Sequence, residues 1–275
     1  MNDIYLDVSR KIVTLYMRQY STSFAASTRI FSSTRRPHIY AIYGLVRCAD
    51  EIVDTYDGDD QQVRLDELRS ETVRALSSGY SVNPLVHAFA ATARQYSIDE
   101  SLIEPFFESM GLDIERRVYD KQSYRRYIYG SAEVVGLMCL RVFVDNDTDR
   151  YDNLRESAQA LGSAYQKVNF LRDIADDAGR LGRWYFPEGS YDRFDDADRD
   201  RIVADIRADM TMARRGLSGL PADARRAVSL SLALYSRLLD RLADTPAVRI
   251  KASRIRLSNF RKLTIALRTL IWGRV

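Results

Sequence analysis

Two stretches of this 275-residue chain set carboxylates at helical spacing. The first, YAIYGLVRCADEIVD, carries Tyr40, Tyr43, Arg47, Asp50 and Asp54 at steps of three and four, so all five share one helix face. Asp50 and Asp54 repel each other there by roughly 0.2–0.5 kcal/mol, which calls for a cationic partner. The second, QKVNFLRDIADD, aligns Gln166, Asn169, Asp173 and Asp177 in the same way, with Arg172 at the flank. A lone D-x-x-x-D reads as a solvated acidic turn; two of them about 120 residues apart, each with an arginine nearby, read as a pair. Magnesium prefers oxygen ligands and commonly bridges carboxylates to phosphates. Facing aspartate turns suit ions clamped against a diphosphate, with arginines on the remaining oxygens. Such an arrangement makes diphosphate a leaving group without a nucleophile or a histidine.

The elements that must position these residues are helices. The 3.6-residue period predicts helices over 3–27, 35–56, 60–78, 83–96, 99–118, 122–144, 150–177, 196–217, 222–243 and 251–271, with no strand pattern. Arg36-Pro37 and Asn83-Pro84 mark helix starts, and Asp57-Gly58 and the run Asp145–Asp149 mark breaks. The least helical stretch, GRLGRWYFPEG over 179–189, follows the second aspartate turn directly. With Arg180, Arg183 and Tyr185 it is expected to order over bound diphosphate as a lid. No linker divides the chain, so a single all-α domain over 1–275 is expected.

Composition narrows the function classes. Hydrophobic residues make up 46% and charged residues 29%, as in a globular protein. Two histidines, His38 and His87, leave no material for a histidine-based metal site, and His38 beside Pro37 is expected at the surface. Cys48 and Cys139 form no C-x-x-C pair and read as buried fillers in a reducing, cytoplasmic compartment. There is no Walker A loop, no G-x-G-x-x-G and no kinase signature. The N-terminus MNDIYLDVSR has no leader-like apolar run, and no 18 consecutive apolar residues occur anywhere. The net charge of +3 is uneven: eight basic residues and no acidic one follow Val248, leaving −5 on the rest. The basic end suggests an anionic partner, a phosphate, a lipid surface or a nucleic acid; contact with a membrane surface at the inner face is expected, and nucleic acid, for want of a recognisable module, is not.

Six motifs in order, YSTSF (20–24), AIYGLVRCADEIVD (41–54), YIYGSAEVVGLM (127–138), AYQKVNFLRDIADD (164–177), RWYFP (183–187) and RLSNFRKLTIALR (256–268), carry a resemblance to the squalene/phytoene synthase family. The resemblance covers nearly the whole chain and is strongest to the bacterial phytoene-forming branch. It implies an all-α isoprenoid-synthase bundle around a central cavity. It also implies Asp50, Asp54, Asn169, Asp173 and Asp177 as ligands of Mg²⁺, with Mn²⁺ as a substitute. Diphosphate contacts are implied at Ser21, Ser23, Arg47, Gln166, Arg172, Tyr185 and Arg268, and aromatic positions beside the reacting carbons at Tyr43 and Tyr129.

The implied reaction joins two prenyl diphosphates through a cyclopropylcarbinyl diphosphate to a hydrocarbon. Small residues at Ala25, Ala26 and Thr28 favour geranylgeranyl over farnesyl diphosphate, hence phytoene and no NADPH. A farnesyl-using (dehydro)squalene or presqualene diphosphate synthase is the alternative; a terpene cyclase and a non-catalytic helical module are the more distant rivals. Glu133 departs from the small residue expected there, and either proximity to the metal ions or pairing with an arginine would account for it. Gly130, Ala132 and Gly136 provide either close helix packing or room for a prenyl chain. Nothing in the sequence sets the oligomeric state.

Overall fold

The computed structural model describes residues 4–20, 28, 30–115, 118–179 and 182–257. The described residues form eleven α-helices. The first, α1 (Ile4–Tyr20), buries Ser9, Val13 and Met17 on α2 (Arg36–Asp50) and α4 (Pro84–Gln95). Between these, α3 (Gln61–Ser78) ends on Gly79, whose φ of +77° favours a residue without Cβ. Helix α4 starts where the Asn83 side chain accepts the Leu85 amide, with Pro84 at the first position. Next come α5 (Glu100–Glu115), α6 (Lys121–Ile128) and α7 (Val134–Val144). An Asp120–Ser123 capping box opens α6, and Asp145 and Asn146 in the left-handed region close α7, at the predicted acidic break.

The 32-residue α8 (Thr148–Gly179) packs against α7, α9 (Asp196–Arg215), α10 (Ala222–Ala243) and α11 (Ala247–Ala252). Among the described residues there is no strand, only an isolated parallel bridge between Val118 and Trp184. The expected all-α fold is what the chain adopts. The predicted helix over 3–27 is seen to Tyr20, and 21–27 lie outside the described residues; of the tail helix predicted over 251–271, only Lys251 and Ala252 are helical, 253–257 leave the helix where Ser253 turns extended, and 258–271 lie outside the described residues.

Two predicted helices carry a feature that periodicity does not reveal. Helix α2 runs on as a π-turn over Glu51–Thr55, in which the Tyr56 amide donates to the Glu51 carbonyl at 2.9 Å, and α6 joins α7 through a second π-turn over Tyr129–Glu133. Such single π-turns concentrate at functional sites. The run Lys121–Val144 is long and apolar enough to cross a bilayer by length and composition, at a mean hydropathy of 1.4. Val134, Leu137, Met138 and Leu140 nevertheless sit in the core, so its apolar character serves packing.

Glycines decide how closely this segment can approach its neighbours. A Cβ on Gly130 would lie 2.1 Å from the Pro105 carbonyl oxygen, one on Gly162 2.5 Å from that of Ala132, and one on Gly136 2.8 Å from that of Ala158. The glycines therefore seat the π-turn and α7 on α5 and α8. His38 departs from expectation: it is buried, with Nδ1 3.0 Å from Thr92 Oγ1. Burial holds its pKa down at about 4. Pro37 starts a helix here whose first turn is already covered by α4, so proximity to proline did not mean exposure.

Candidate active site

A cavity of about 360 Å³ opens among α2, α7, α8 and α10. Its floor is one stripe of α8: Leu154, Ser157, Ala158, Leu161, Gly162, Tyr165, Gln166 and Asn169. At 1.5 Å per residue that stripe is ~22 Å long. Tyr43, Phe31, Phe143, Val228 and Tyr235 supply much of the remaining wall. Tyr165 and Tyr235 stack with ring centroids 3.9 Å apart, and the Tyr235 hydroxyl donates to Asn169 Oδ1 at 3.5 Å. The lining is apolar along most of the stripe and turns polar at Gln166 and Asn169. One and two helical turns beyond Asn169 on the same stripe come Asp173 and Asp177.

Arg183 holds the two aspartate turns together. Its backbone N–H donates to the Asp177 carbonyl at 2.9 Å, while its guanidinium donates to Asp54 Oδ1 at 2.7 Å and to the Val53 carbonyl at 3.0 Å. The C-terminal end of α8 and the π-turn after α2 are thus tied to one buried residue. Behind it stands Asp113, 3.9 Å from the guanidinium and itself buried. Three phenols donate to Asp113: Tyr119 and Tyr185 at 3.0 Å each and Tyr127 at 2.5 Å. Burial raises the Asp113 pKa to about 6 against the opposing pull of Arg183 and Tyr127.

The aspartates divide by environment. Asp173 is held by Arg172, at 2.8 and 2.5 Å, and by Arg254 at 2.8 Å. Asp50 is pushed up to about 7, first by desolvation and then by Asp54; Arg47, 3.9 Å away, pulls the other way and is bonded to Glu51. Asp177 is likewise raised to about 7 by desolvation, then by Asp173 and Asp54. Carboxylates are therefore crowded across the gap between the two helices with incomplete neutralisation. Among the described residues no three acidic side chains close into a ready cation cage. The donor set, all carboxylate or amide oxygen and short of positive charge, suits hard divalent cations in its chemistry.

Other expected site residues fall in different places. Tyr43, Gln166 and Asn169 line the cavity; Tyr129 does not, lying in the second π-turn against the core. Tyr185 turns its hydroxyl to Asp113. Ser21, Ser23, Arg180 and Arg268 lie outside the described residues.

The segment expected as a lid is interior from Arg183 to Phe186, with Tyr185 stacked on Phe170 at 4.0 Å, and acts there as a strap between helices. Glu133 accepts from Gln159 at 3.1 Å, and burial raises its pKa. Its hydrogen bond is thus to a neutral amide and not to an arginine. Asp113, Tyr119 and Tyr127 were not singled out from sequence. The signal was an acid on the apolar face of α5, seven residues after Phe106.

A family profile described as squalene/phytoene synthase matches residues 17–261. The chain is 32% identical over 195 residues to a 15-cis-phytoene synthase of Paracoccus sp., covering 68% of this chain and 61% of that protein. It is 28% identical over 252 residues to a phytoene synthase of Arthrospira platensis, covering 82% and 80%. A squalene synthase structure from Alicyclobacillus acidocaldarius superposes with a TM-score of 0.76 at 22% identity, covering 91% of this chain and 97% of that one. A dehydrosqualene synthase in complex with ligand gives 0.77 at 18%, covering 98% and 97%. The fold is therefore the all-helical isoprenoid-synthase bundle. With the profile spanning most of its length, the chain belongs to the squalene/phytoene synthase family.

Proposed function

We propose that this protein condenses two prenyl diphosphates head to head, and that geranylgeranyl diphosphate is the substrate and phytoene the product. The observation that carries the reading is the single stripe of α8, apolar from Leu154 to Leu161 and acidic from Asp173 to Asp177. One element thus offers a hydrocarbon wall and a charged end in line. The ~22 Å cavity floor is long enough to carry a four-isoprene tail laid along it. Asp50, Asp54, Asn169, Asp173 and Asp177 would hold Mg²⁺, or Mn²⁺ in its place, which when bound neutralises the diphosphate leaving groups. Arg172 and Arg47 stand beside these carboxylates, where guanidinium forks suit the free phosphate oxygens.

Departure of the first diphosphate leaves an allylic cation that the double bond of the second substrate attacks, and loss of a proton closes the cyclopropylcarbinyl diphosphate. Loss of the second diphosphate, rearrangement and loss of a second proton then give the triene with no reductant consumed. The stacked faces of Tyr165 and Tyr235, with Tyr43, are electron-rich and unreactive walls for such cations. Arg183 and the Asp113 phenol cluster fix the spacing of the two aspartate turns.

The test is incubation with geranylgeranyl or farnesyl diphosphate, with and without Mg²⁺ and NADPH, followed by hydrocarbon analysis. Phytoene from geranylgeranyl diphosphate and Mg²⁺ alone is expected. A C30 hydrocarbon formed only from farnesyl diphosphate would overturn the substrate, and no hydrocarbon under any condition would overturn the function.

A further inference from the structure

Helix α1 has two apolar faces, and only one is used inside the protein. Ser9, Val13 and Met17 are buried against α2 and α4. On the opposite side Ile4, Val8, Ile12 and Leu15 recur at steps of four, four and three, and they fall within an arc of about 80° at 100° per residue. All four are exposed, Ile4 at 76% and Leu15 at 59%. At the N-terminal end the turn before α4 extends the patch with Tyr80 and Val82, the latter 77% exposed, fixed by a Tyr5 hydroxyl bond to the Val82 carbonyl at 2.7 Å. A surface helix ordinarily keeps one apolar stripe, and a row of large aliphatics in water marks an interaction site.

We infer that this outer face of α1 is a docking surface for an anionic lipid bilayer. Charge selects the occupant. Lys11 and Arg18 are exposed at the edge of the stripe, where long aliphatic stems let the charged heads reach headgroup phosphates while the stripe enters the interface. Asp7 is the only acidic side chain on that face of α1. Position supports the same occupant. The C-terminal end of α1 stands at the aspartate site, where the Arg47 guanidinium lies 4.5 Å from the centre of the Tyr20 ring. A bilayer on this face brings a source of long-tailed substrates and a sink for an insoluble hydrocarbon beside the aspartate site. That last consideration rests on the proposed function; the exposed stripe and its basic edge do not.

The experiment is sedimentation of the full-length protein, without substrate, with phosphatidylglycerol and with phosphatidylcholine vesicles. It runs beside Ile4→Gln/Val8→Gln/Leu15→Gln and Lys11→Gln/Arg18→Gln, with melting curves as folding controls. Wild type is expected to bind phosphatidylglycerol vesicles at least tenfold more strongly than phosphatidylcholine. The apolar triple variant should lose at least tenfold of that binding, and the charge variant should lose the preference for anionic lipid. Equal vesicle binding by wild type and the triple variant would assign the contact elsewhere, for instance to the basic end of the chain, and overturn the inference. So would absence of vesicle binding, or a dimer in solution that the triple variant dissolves. Because no turnover is measured, an inactive preparation would challenge the proposed function and leave this result standing.

Discussion

Asp50 and Asp173 face their tasks with different neighbours, and the difference predicts how each would fail. Asp173 is gripped by Arg172 and Arg254, whereas Asp50 is crowded by Asp54. Asparagine at either position keeps the size and removes the charge. Asp50→Asn and Asp173→Asn should each lower turnover by at least 10²-fold, the scale of losing one electrostatic contact to a developing charge. Asp50→Asn should melt no lower than wild type, because it relieves a repulsion; a large fall in activity together with a lowered melting point would mean a folding role.

Asp113 behaves in the opposite way. Asp113→Ala leaves three phenols without their common acceptor and Arg183 without its buried countercharge, and urea denaturation should show a loss of about 3–5 kcal/mol. Tyr185→Phe, which removes one donor, should cost about 1 kcal/mol. The aspartate pairs were legible as sequence because their spacing matches a helix. Asp113 was not, because its partners come from α6, from Tyr119 just before it and from the strap, and only folding brings them together.

At the scale of elements, the order of the helices as far as Ala243 was legible from apolar periodicity and from the proline, glycine and asparagine at the helix ends. The π-turns were not: inserting one residue into a turn changes the hydrogen-bond ladder and leaves the hydrophobic pattern almost intact. Their placement matters, since one carries Asp54 and the other lies against α8 through Gly162. Gly162→Ala would drive a methyl group into the Ala132 carbonyl, and an overpacking loss of about 1–3 kcal/mol is expected in chemical denaturation. An unchanged midpoint would show that the π-turn can move off α8. The sequence also pictured the segment after Asp177 as a lid because glycine and arginine suggest an open loop. The aromatic run Trp184-Tyr185-Phe186 decides otherwise by burying itself.

At the scale of the whole molecule, cation binding at the proposed site would be coupled to protons. The carboxyls of Asp50 and Asp177 are both raised to about 7, well above their unfolded values near 3.8. A raised carboxyl pKa means that the folded state holds the proton more tightly, so this contribution is complete below pH ~4 and is lost as pH rises through 7. Divalent cations bind the ionised form and compete with those protons. The rise in melting temperature caused by millimolar Mg²⁺ should therefore be larger at pH 8 than at pH 5.5, and Asp50→Asn should diminish that difference. A Mg²⁺ effect independent of pH would contradict the picture of crowded carboxylates.

Head-to-head condensation itself is tested most directly by stoichiometry. With geranylgeranyl diphosphate and Mg²⁺, diphosphate release and hydrocarbon formation are to be counted in the same reaction. The account predicts two diphosphates released per C40 hydrocarbon, with no reductant added. Diphosphate release that yields only prenyl alcohol, or no Mg²⁺-dependent release at all, would contradict it.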